Sequence, residues 1–172
     1  MSTIIIAAIL VAITIALPVV FISISKKNTT KRKEENLKLF NLAGSNHGLS
    51  FSKYELLKNK IIGLDNVRQA VLIYEFENEN AICINMKEVN NCTVNKQYDS
   101  IDMGTDKKAK MEKHLSSIDL KFSIKRSTEP ISISFYDSSV NNIYEMTELE
   151  AKAKEWETVL SKMIVKELKA IA

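Results

Sequence analysis

The pattern of apolar and polar positions begins with a long run that carries no charge. Between Met1 and Lys26 there is no Asp, Glu, Lys, Arg or His. A helix rises about 1.5 Å per residue, so residues 4–24 would cover roughly 30 Å, which is the thickness of the hydrocarbon layer of a bilayer. We therefore predict a transmembrane anchor within residues 1–27.

A cleaved signal peptide and a buried core helix fit this run less well. A signal peptide would carry basic residues before a shorter apolar stretch and a small-x-small cleavage site. Here residues 1–3 are uncharged, and the small pair at the far end, Ser23 and Ser25, is followed directly by two lysines. A buried core helix would usually keep a polar stripe, whereas this run is apolar on nearly all sides.

A helical period follows the anchor. Leu37, Phe40 and Ala43 recur at three-residue spacing among good helix formers, and Gly48 is a suitable residue to end a helix. We predict a basic juxtamembrane stalk helix over residues 28–46.

From residue 51 onward, apolar positions alternate with polar ones, which is the pattern of β-strands. The alternation is sharpest in SIDLKFSIK and ISISFYD, which are separated by the turn sequence RSTEP. A strand with one apolar and one polar face is typical of an antiparallel sheet with one face in solvent. Further strands are predicted in YELLKNKIIGLD, RQAVLIYEF, NENAICINMKEV and NNCTVNKQY.

The chain ends in an amphipathic helix. From Leu149 onward, apolar residues recur at three- and four-residue spacing, and the stripe includes Trp156, the single tryptophan. Thr147 and Glu150 fit a capping box that would begin this helix. Residues 47–172 are therefore predicted to form one α+β domain, in which Trp156 anchors the helix in the core.

The charges beside the apolar run predict its orientation. Basic residues stay on the cytoplasmic side of a membrane span, and five of them follow the run within ten residues whereas none precedes it. We expect a single-pass protein of the inner membrane with its C-terminal domain in the cytoplasm. The same five side chains are candidates for contact with anionic lipid headgroups. They are Lys26, Lys27, Lys31, Arg32 and Lys33.

Outside that flank the chain is slightly acidic. Residues 1–33 hold five basic and no acidic side chains, so the remainder has 19 basic against 21 acidic ones. A nucleic-acid-binding domain would itself be basic, so this class is not favoured. Cys83 and Cys92 form no Cys-x-x-Cys pair, which agrees with free thiols in a reducing compartment.

No motif predicts catalysis, a cofactor or a metal site. The four glycines are too scattered for a phosphate-binding loop. Ser50 and Lys53 fit a Ser-x-x-Lys pattern, but the partner motifs of the serine β-lactamases are missing. His47 and His114 are far apart, in loop-like contexts, without carboxylates or thiolates at ligand spacing.

Two charged stretches allow more than one interpretation. Glu75, Glu77 and Glu79 stand at every second position before a turn, where they fit a cation or acid–base site, or a solvated strand edge. The run KKAKMEKH, from Lys107 to His114, fits contact with anionic lipid or an acidic partner, or a solvated loop. The solvated strand edge explains the three glutamates equally well, whereas for the basic run a solvated loop is the favoured interpretation.

The segments IIGLDNVRQAVLIYEF, SIDLKFSIK, ISISFYD and ELEAKAKEWETVL, preceded by LAGSNHGLSFSKYE, resemble a bacterial family of uncharacterised single-pass membrane proteins. Members of that family carry a pleckstrin-homology-like (PH-like) domain in the cytoplasm. The resemblance spans residues 35–165 and implies a bent antiparallel sheet or barrel of about seven strands, a C-terminal helix and an interaction role. The basic pattern with which some proteins of this fold bind inositol phosphates is not evident between Lys58 and Arg68.

These observations predict a membrane-tethered adaptor or scaffold that is not an enzyme, binds a protein partner and needs no cofactor, metal or nucleic acid. The alternative is a module that binds anionic lipid. A pilin-like or secretion-apparatus subunit also joins an apolar helix to a β-rich head. Such a subunit would carry a basic leader ending in Gly and an early Glu, whereas this chain has no acidic residue before Glu34.

Overall fold

The structure is a computed structural model that describes residues 30–101 and 112–171. The chain forms two compact units, which divide between Ala43 and Gly44. The predicted anchor lies outside the described residues. No helix within the described ranges combines enough length with enough apolar content to span a membrane.

A first helix, α1, covers residues 30–46 of the described chain. It ends in a Schellman motif, in which the Leu49 amide donates to the Gly44 carbonyl at 2.8 Å and the Gly48 amide donates to the Ser45 carbonyl at 2.9 Å. Gly48 has a left-handed φ of 64°, a conformation that is strained for residues with a Cβ atom. The helix therefore ends where the sequence indicated, because glycine permits this turn.

Four antiparallel strands form the first sheet in sequence order: β1 (Lys53–Leu56), β2 (Lys60–Asp65), β3 (Ala70–Glu75) and β4 (Asn80–Asn85). The two inner strands are buried on both faces, so they have no polar face of the kind that the alternation predicts. The edge strand β4 alternates as predicted, with Ile84 buried and Cys83 and Asn85 exposed.

The second sheet has three antiparallel strands, again in sequence order: β5 (Val89–Ile101), β6 (Glu112–Ile124) and β7 (Ile131–Asp137). Ile118 pairs with Tyr136 but Asp119 pairs with Ser134, so Phe135 is an extra residue that bulges from β7. Because the bulge changes the side to which later residues point, both Phe135 and Tyr136 are buried. Simple alternation along ISISFYD predicts that Phe135 is buried and that Tyr136 is exposed.

The C-terminal helix, α2 (Met146–Ile171), contributes to one apolar core together with both sheets. Its predicted stripe is buried at Leu149, Ala153, Trp156, Leu160 and Ile164. The predicted α+β class, with antiparallel sheets and an amphipathic C-terminal helix, is confirmed.

Helix α2 also covers the outer edges of two strands. Beside β1, Lys152 binds Glu55 at 3.1 Å and Glu155 binds Lys53 at 2.5 Å. Unpaired strand edges invite association with other chains, and charged side chains such as those of Lys53 and Glu55 on an edge strand discourage it.

The edge of β5 is covered by direct hydrogen bonds to its backbone. The Val94 amide donates to the Glu157 carboxylate at 2.9 Å, and the Ser161 hydroxyl donates to the Cys92 carbonyl at 3.5 Å. Side chains of α2 therefore replace the missing neighbour of β5.

The start of α2 differs from the sequence prediction. A 3-10 turn over residues 143–145 precedes the helix, and its capping box is formed by Asn142 and Glu145. Thr147 lies inside α2, and Glu150 forms ion pairs instead of a cap. Asn caps a helix at least as well as Thr, which accounts for the earlier start.

Candidate interaction surfaces

Residues 57–60, 75–79 and 137–145 lie at one end of the second unit, and we call these three segments the apical surface. The β1–β2 and β3–β4 turns meet there, because the Phe76 amide donates to the Asn59 carbonyl at 3.0 Å. The connection from β7 to α2 joins them through a hydrogen bond from the Lys58 ammonium to the Val140 carbonyl. Three segments that are distant in sequence therefore share this surface.

Apolar side chains project from the apical surface into solvent. Tyr144 is 89% exposed, Ile143 is 56% exposed and Val140 is 38% exposed. Scattered single apolar side chains are normal on protein surfaces, but these three stand within five residues of one connection, and we call them the apical patch.

The connection that carries this patch is held by many hydrogen bonds. Asn142 accepts from the Tyr144 amide at 3.2 Å, and the Glu145 carboxylate accepts from the Asn142 amide at 2.9 Å. At the other end of the connection, the Asp137 carboxylate accepts from the Ser139 amide at 2.8 Å and from the Ser139 hydroxyl at 2.6 Å. Both ends of the connection that carries the patch are therefore tied down by hydrogen bonds.

The same hydrogen bonds keep two carboxylates ionised. The hydrogen bond from the Asn142 amide, with a second from the Asn141 side chain, lowers the pKa of Glu145. The hydrogen bonds from Ser139 lower the pKa of Asp137. Both groups are negatively charged at neutral pH.

The apical surface is acidic as a whole. It carries five carboxylates, of Glu75, Glu77, Glu79, Asp137 and Glu145, against two lysines. Both lysines have partners within the surface. The Lys58 ammonium donates to the Val140 carbonyl, and the Lys60 Nζ atom lies 3.6 Å from Oε1 of Glu75.

A small cleft of about 60 Å³ lies beside the patch, between the β1–β2 turn and β7. Small-molecule sites usually occupy roughly 300–1,000 Å³, so this cleft suits water and not a cofactor. Its lining includes Leu57, Lys58, Phe135, Asp137 and Val140.

The opposite end of the second unit has a different character, and we call it the basal surface. It comprises residues 48–50, 66–69, 86–88 and 125–130. The Met86 amide donates to the Gln69 carbonyl at 2.8 Å, and the Lys125 amide donates to the Glu88 carbonyl at 2.7 Å. These bonds bring the β2–β3 turn, the connection after β4 and the β6–β7 turn together.

A buried carboxylate joins the β2–β3 turn to the incoming chain. Asp65 accepts from the Ser50 amide at 2.8 Å, from the Val67 amide at 2.8 Å and from the Arg68 amide at 2.9 Å. These hydrogen bonds lower the pKa of Asp65, and the bond from the Ser50 amide has the largest effect. Asp65 therefore has a structural role, as an acceptor for three backbone donors.

Exposed side chains make the basal surface basic. Arg68, Lys87, Lys125 and Arg126 outnumber Glu88 and Glu129, and all six are exposed. Val67 stands beside them at the tip of the β2–β3 turn and is 93% exposed. The basal surface therefore combines positive charge with a single protruding apolar residue.

A polar cluster lies on the second sheet. The Asp119 carboxylate accepts from the Gln97 amide group at 3.1 Å and from the Ser117 hydroxyl at 2.8 Å. Asp119 is buried, although the alternation placed it on the solvent face. Its hydrogen bonds compensate for the loss of hydration on burial, so the cluster has a structural role.

The residues that sequence reasoning considered for chemistry are not brought together. His47 lies in the turn after α1, and His114 lies in β6 opposite Asp99, not in a loop. Within residues 30–101 and 112–171, no group of three or more His, Cys, Asp or Glu side chains could hold a metal ion. Burial, together with the charge of Glu157, raises the pKa of the Cys92 thiol to about 12, whereas Cys83 is exposed.

The five predicted lipid-contact residues are only partly described. Lys31, Arg32 and Lys33 are exposed side chains on α1. Lys26 and Lys27 lie outside the described residues, as do residues 107–111 of the second basic run.

Comparison with protein-family models, with curated proteins and with solved structures gives no match for this chain.

Sequence reasoning missed the apical patch, although a signal was present. Ile143 and Tyr144 stand between the two residues of the capping pattern, Asn142 and Glu145, and the first residues of a helix usually lie at the surface.

Proposed function

We propose that this chain is a single-pass inner-membrane protein whose cytoplasmic domain is PH-like and binds a protein partner without catalysis. The observation that carries this proposal is the apical patch, in which Val140, Ile143 and Tyr144 are exposed on a connection held by hydrogen bonds. Ordering a loop on binding costs free energy, so a loop that is already ordered favours recognition.

The arrangement of the second unit supports the PH-like assignment. Four antiparallel strands are followed by three, and a C-terminal helix contributes its tryptophan to the shared core. This is the order of elements that the resemblance implies. Tyrosine is also enriched among the residues that dominate the binding energy of protein interfaces.

The membrane anchor and its orientation rest on the uncharged run and on the basic residues that follow it. Reporter fusions at the C-terminus test them. A cytoplasmic fluorescent protein is expected to be bright in that position and a periplasmic phosphatase inactive. An active phosphatase with a dark fluorescent protein would overturn the orientation.

Site-specific crosslinking tests the binding surface in cells. A photoreactive residue replaces Ile143 in the full-length protein, and the control carries it at Tyr54, which is exposed on β1. We expect a discrete crosslinked product from position 143 alone. Equal products from both positions, or none from position 143, would contradict partner binding through the apical surface.

Contact with anionic lipid is a second candidate, favoured by the basal surface. The chain enters the second unit at this surface, because Ser50 binds Asp65 in the same turn that carries Val67 and Arg68. Hydrogen exchange of the full-length protein in nanodiscs tests it. Protection of residues 66–69 and 125–130 in anionic but not in neutral nanodiscs, lost at high salt, would support lipid contact.

A further inference from the structure

We infer that the partner of the apical surface is a protein segment in which aromatic or aliphatic side chains are flanked by lysine or arginine. This inference rests on the proposed function and adds the chemistry of the partner. The chemistry of the partner follows from two properties of the apical surface, which are its projecting apolar side chains and its carboxylates without an ion-pair partner.

The apolar property sets the first requirement on the partner. Tyr144 and Ile143 protrude from the surface, so burying them requires apolar groups on the other molecule. The adjacent cleft is too small to receive a side chain of the partner together with its backbone. The contact is therefore made across the protruding side chains, of which Tyr144 is the most exposed.

The charge property sets the second requirement. The carboxylates of Glu55, Glu148, Glu150 and Glu155 are all paired with lysines on or beside α2. Within the described residues, Glu77 and Glu79 form no ion pair. Lysine or arginine on the partner would compensate these charges, which favours encounter with a basic segment and disfavours an acidic one.

A random-peptide display library selected on the full-length protein in neutral nanodiscs tests the inference. Counter-selection uses the Ile143→Ser, Tyr144→Ser variant in the same nanodiscs. We expect the retained peptides to combine aromatic or aliphatic residues with lysine and arginine. Synthetic copies should bind the variant about thirtyfold more weakly, the effect of losing a dominant interface side chain.

Charge reversal provides the matched comparison. Glu77→Lys, Glu79→Lys changes the apical surface, and Glu88→Lys, Glu129→Lys makes the same change of net charge at the basal surface. We expect the apical reversal to weaken the selected basic peptides at least tenfold, and their acidic counterparts to bind the reversed protein better. The basal reversal should leave both affinities within about twofold, because exposed charges that far from the contact are screened.

Several outcomes would overturn the inference. Retained peptides that are acidic or purely polar would refute the partner chemistry, while a crosslink at position 143 would still support the proposed function. Equal effects of the apical and basal reversals would show that net charge, and not this surface, attracts the peptides. Failure to enrich any peptide over the counter-selected variant would refute a linear basic segment, and the crosslink would again decide the proposed function separately.

Discussion

The apical and basal surfaces lie on one core but carry opposite charge. The apical surface has five carboxylates against two lysines, and both lysines are engaged within it. The basal surface has four basic side chains against two glutamates. Both surfaces are built from short segments that enter or leave the strands of the same two sheets.

The comparison shows how a fold keeps its connections ordered while their exposed chemistry varies. Each surface is held by main-chain hydrogen bonds and by polar side chains that accept hydrogen bonds from backbone donors. These side chains include Asp65 beside the basal surface, and Asp137, Asn142 and Glu145 at the apical surface. The exposed apolar side chains of Ile143, Tyr144 and Val67 take no part in these hydrogen bonds, so they are free to serve recognition.

The largest expected effect tests whether both surfaces depend on the shared core. Trp156 is fully buried between the sheets, and Trp156→Ala should lower the free energy of unfolding by about 3–5 kcal/mol. Urea unfolding of the full-length protein in neutral micelles, followed by circular dichroism, measures the change. Crosslinking from position 143 should be lost with the fold.

The control is Trp156→Phe, which keeps an aromatic ring in the core. Among the described residues, the Trp156 Nε1 donor has no hydrogen-bond partner, so Phe removes an uncompensated donor as well as volume. We expect less than half of the cost of the alanine variant. Equal costs would show that packing around Trp156 contributes little.

The next largest effect is expected from a substitution that removes hydrogen bonds at the basal surface only. Asp65→Asn places an amide N–H group opposite one of the three backbone donors, so the free energy of unfolding should fall by about 2–3 kcal/mol at pH 7. The folded state lowers the pKa of Asp65, so its stabilisation is complete above the unfolded value of about 3.9. It is lost as the pH falls through the folded value.

Denaturant unfolding between pH 2 and pH 7 measures this dependence. The difference between the wild type and Asp65→Asn should shrink as the pH falls below about 4, because the carboxyl becomes protonated in the wild type. Asp99→Asn, at an exposed position on β5, should cost less than about 0.5 kcal/mol. A difference for Asp65→Asn that is constant with pH would contradict the assigned role.

The sequence was sufficient to predict those helices and strands that bury one face in the core and expose the other. The stripe of α2 and the alternation in β4 were predicted because every buried residue there repeats at the period of the helix or strand. The bulge at Phe135 was not predictable in this way. One extra residue changes the side of Tyr136 without any change in the apolar character of the segment.

The surfaces could not be predicted because the strand pairing brings their residues together. Glu77, Glu79 and Lys58 are separate in sequence and meet only because the β1–β2 and β3–β4 turns lie at the same end of the first sheet. The burial of Asp119 was missed for a related reason. Its hydrogen-bond partner Gln97 belongs to another strand, and only the pairing of β5 with β6 places them together.

A smaller effect concerns the point where the chain enters the basal surface. Gly48→Ala forces a residue with a Cβ atom into a left-handed conformation, which costs about 1–2 kcal/mol. The added Cβ would also lie 2.7 Å from the Arg68 guanidinium, which can move aside. Urea unfolding measures the loss, and Gly48→Asn should cost less because Asn tolerates this conformation. Equal costs for Ala and Asn would indicate a steric and not a conformational cause.

The smallest effect on stability should accompany the clearest functional difference between the two surfaces. Tyr144→Ser and Val67→Ser each remove a protruding apolar side chain, at the apical and the basal surface respectively, and each should change the free energy of unfolding by less than about 0.5 kcal/mol. Crosslinking from position 143 should be lost in the Tyr144 variant and retained in the Val67 variant, since partner binding is assigned to the apical surface alone. Loss in both variants, or in neither, would remove the distinction between the surfaces, because two exposed side chains of equal importance to the fold would then be of equal importance to binding.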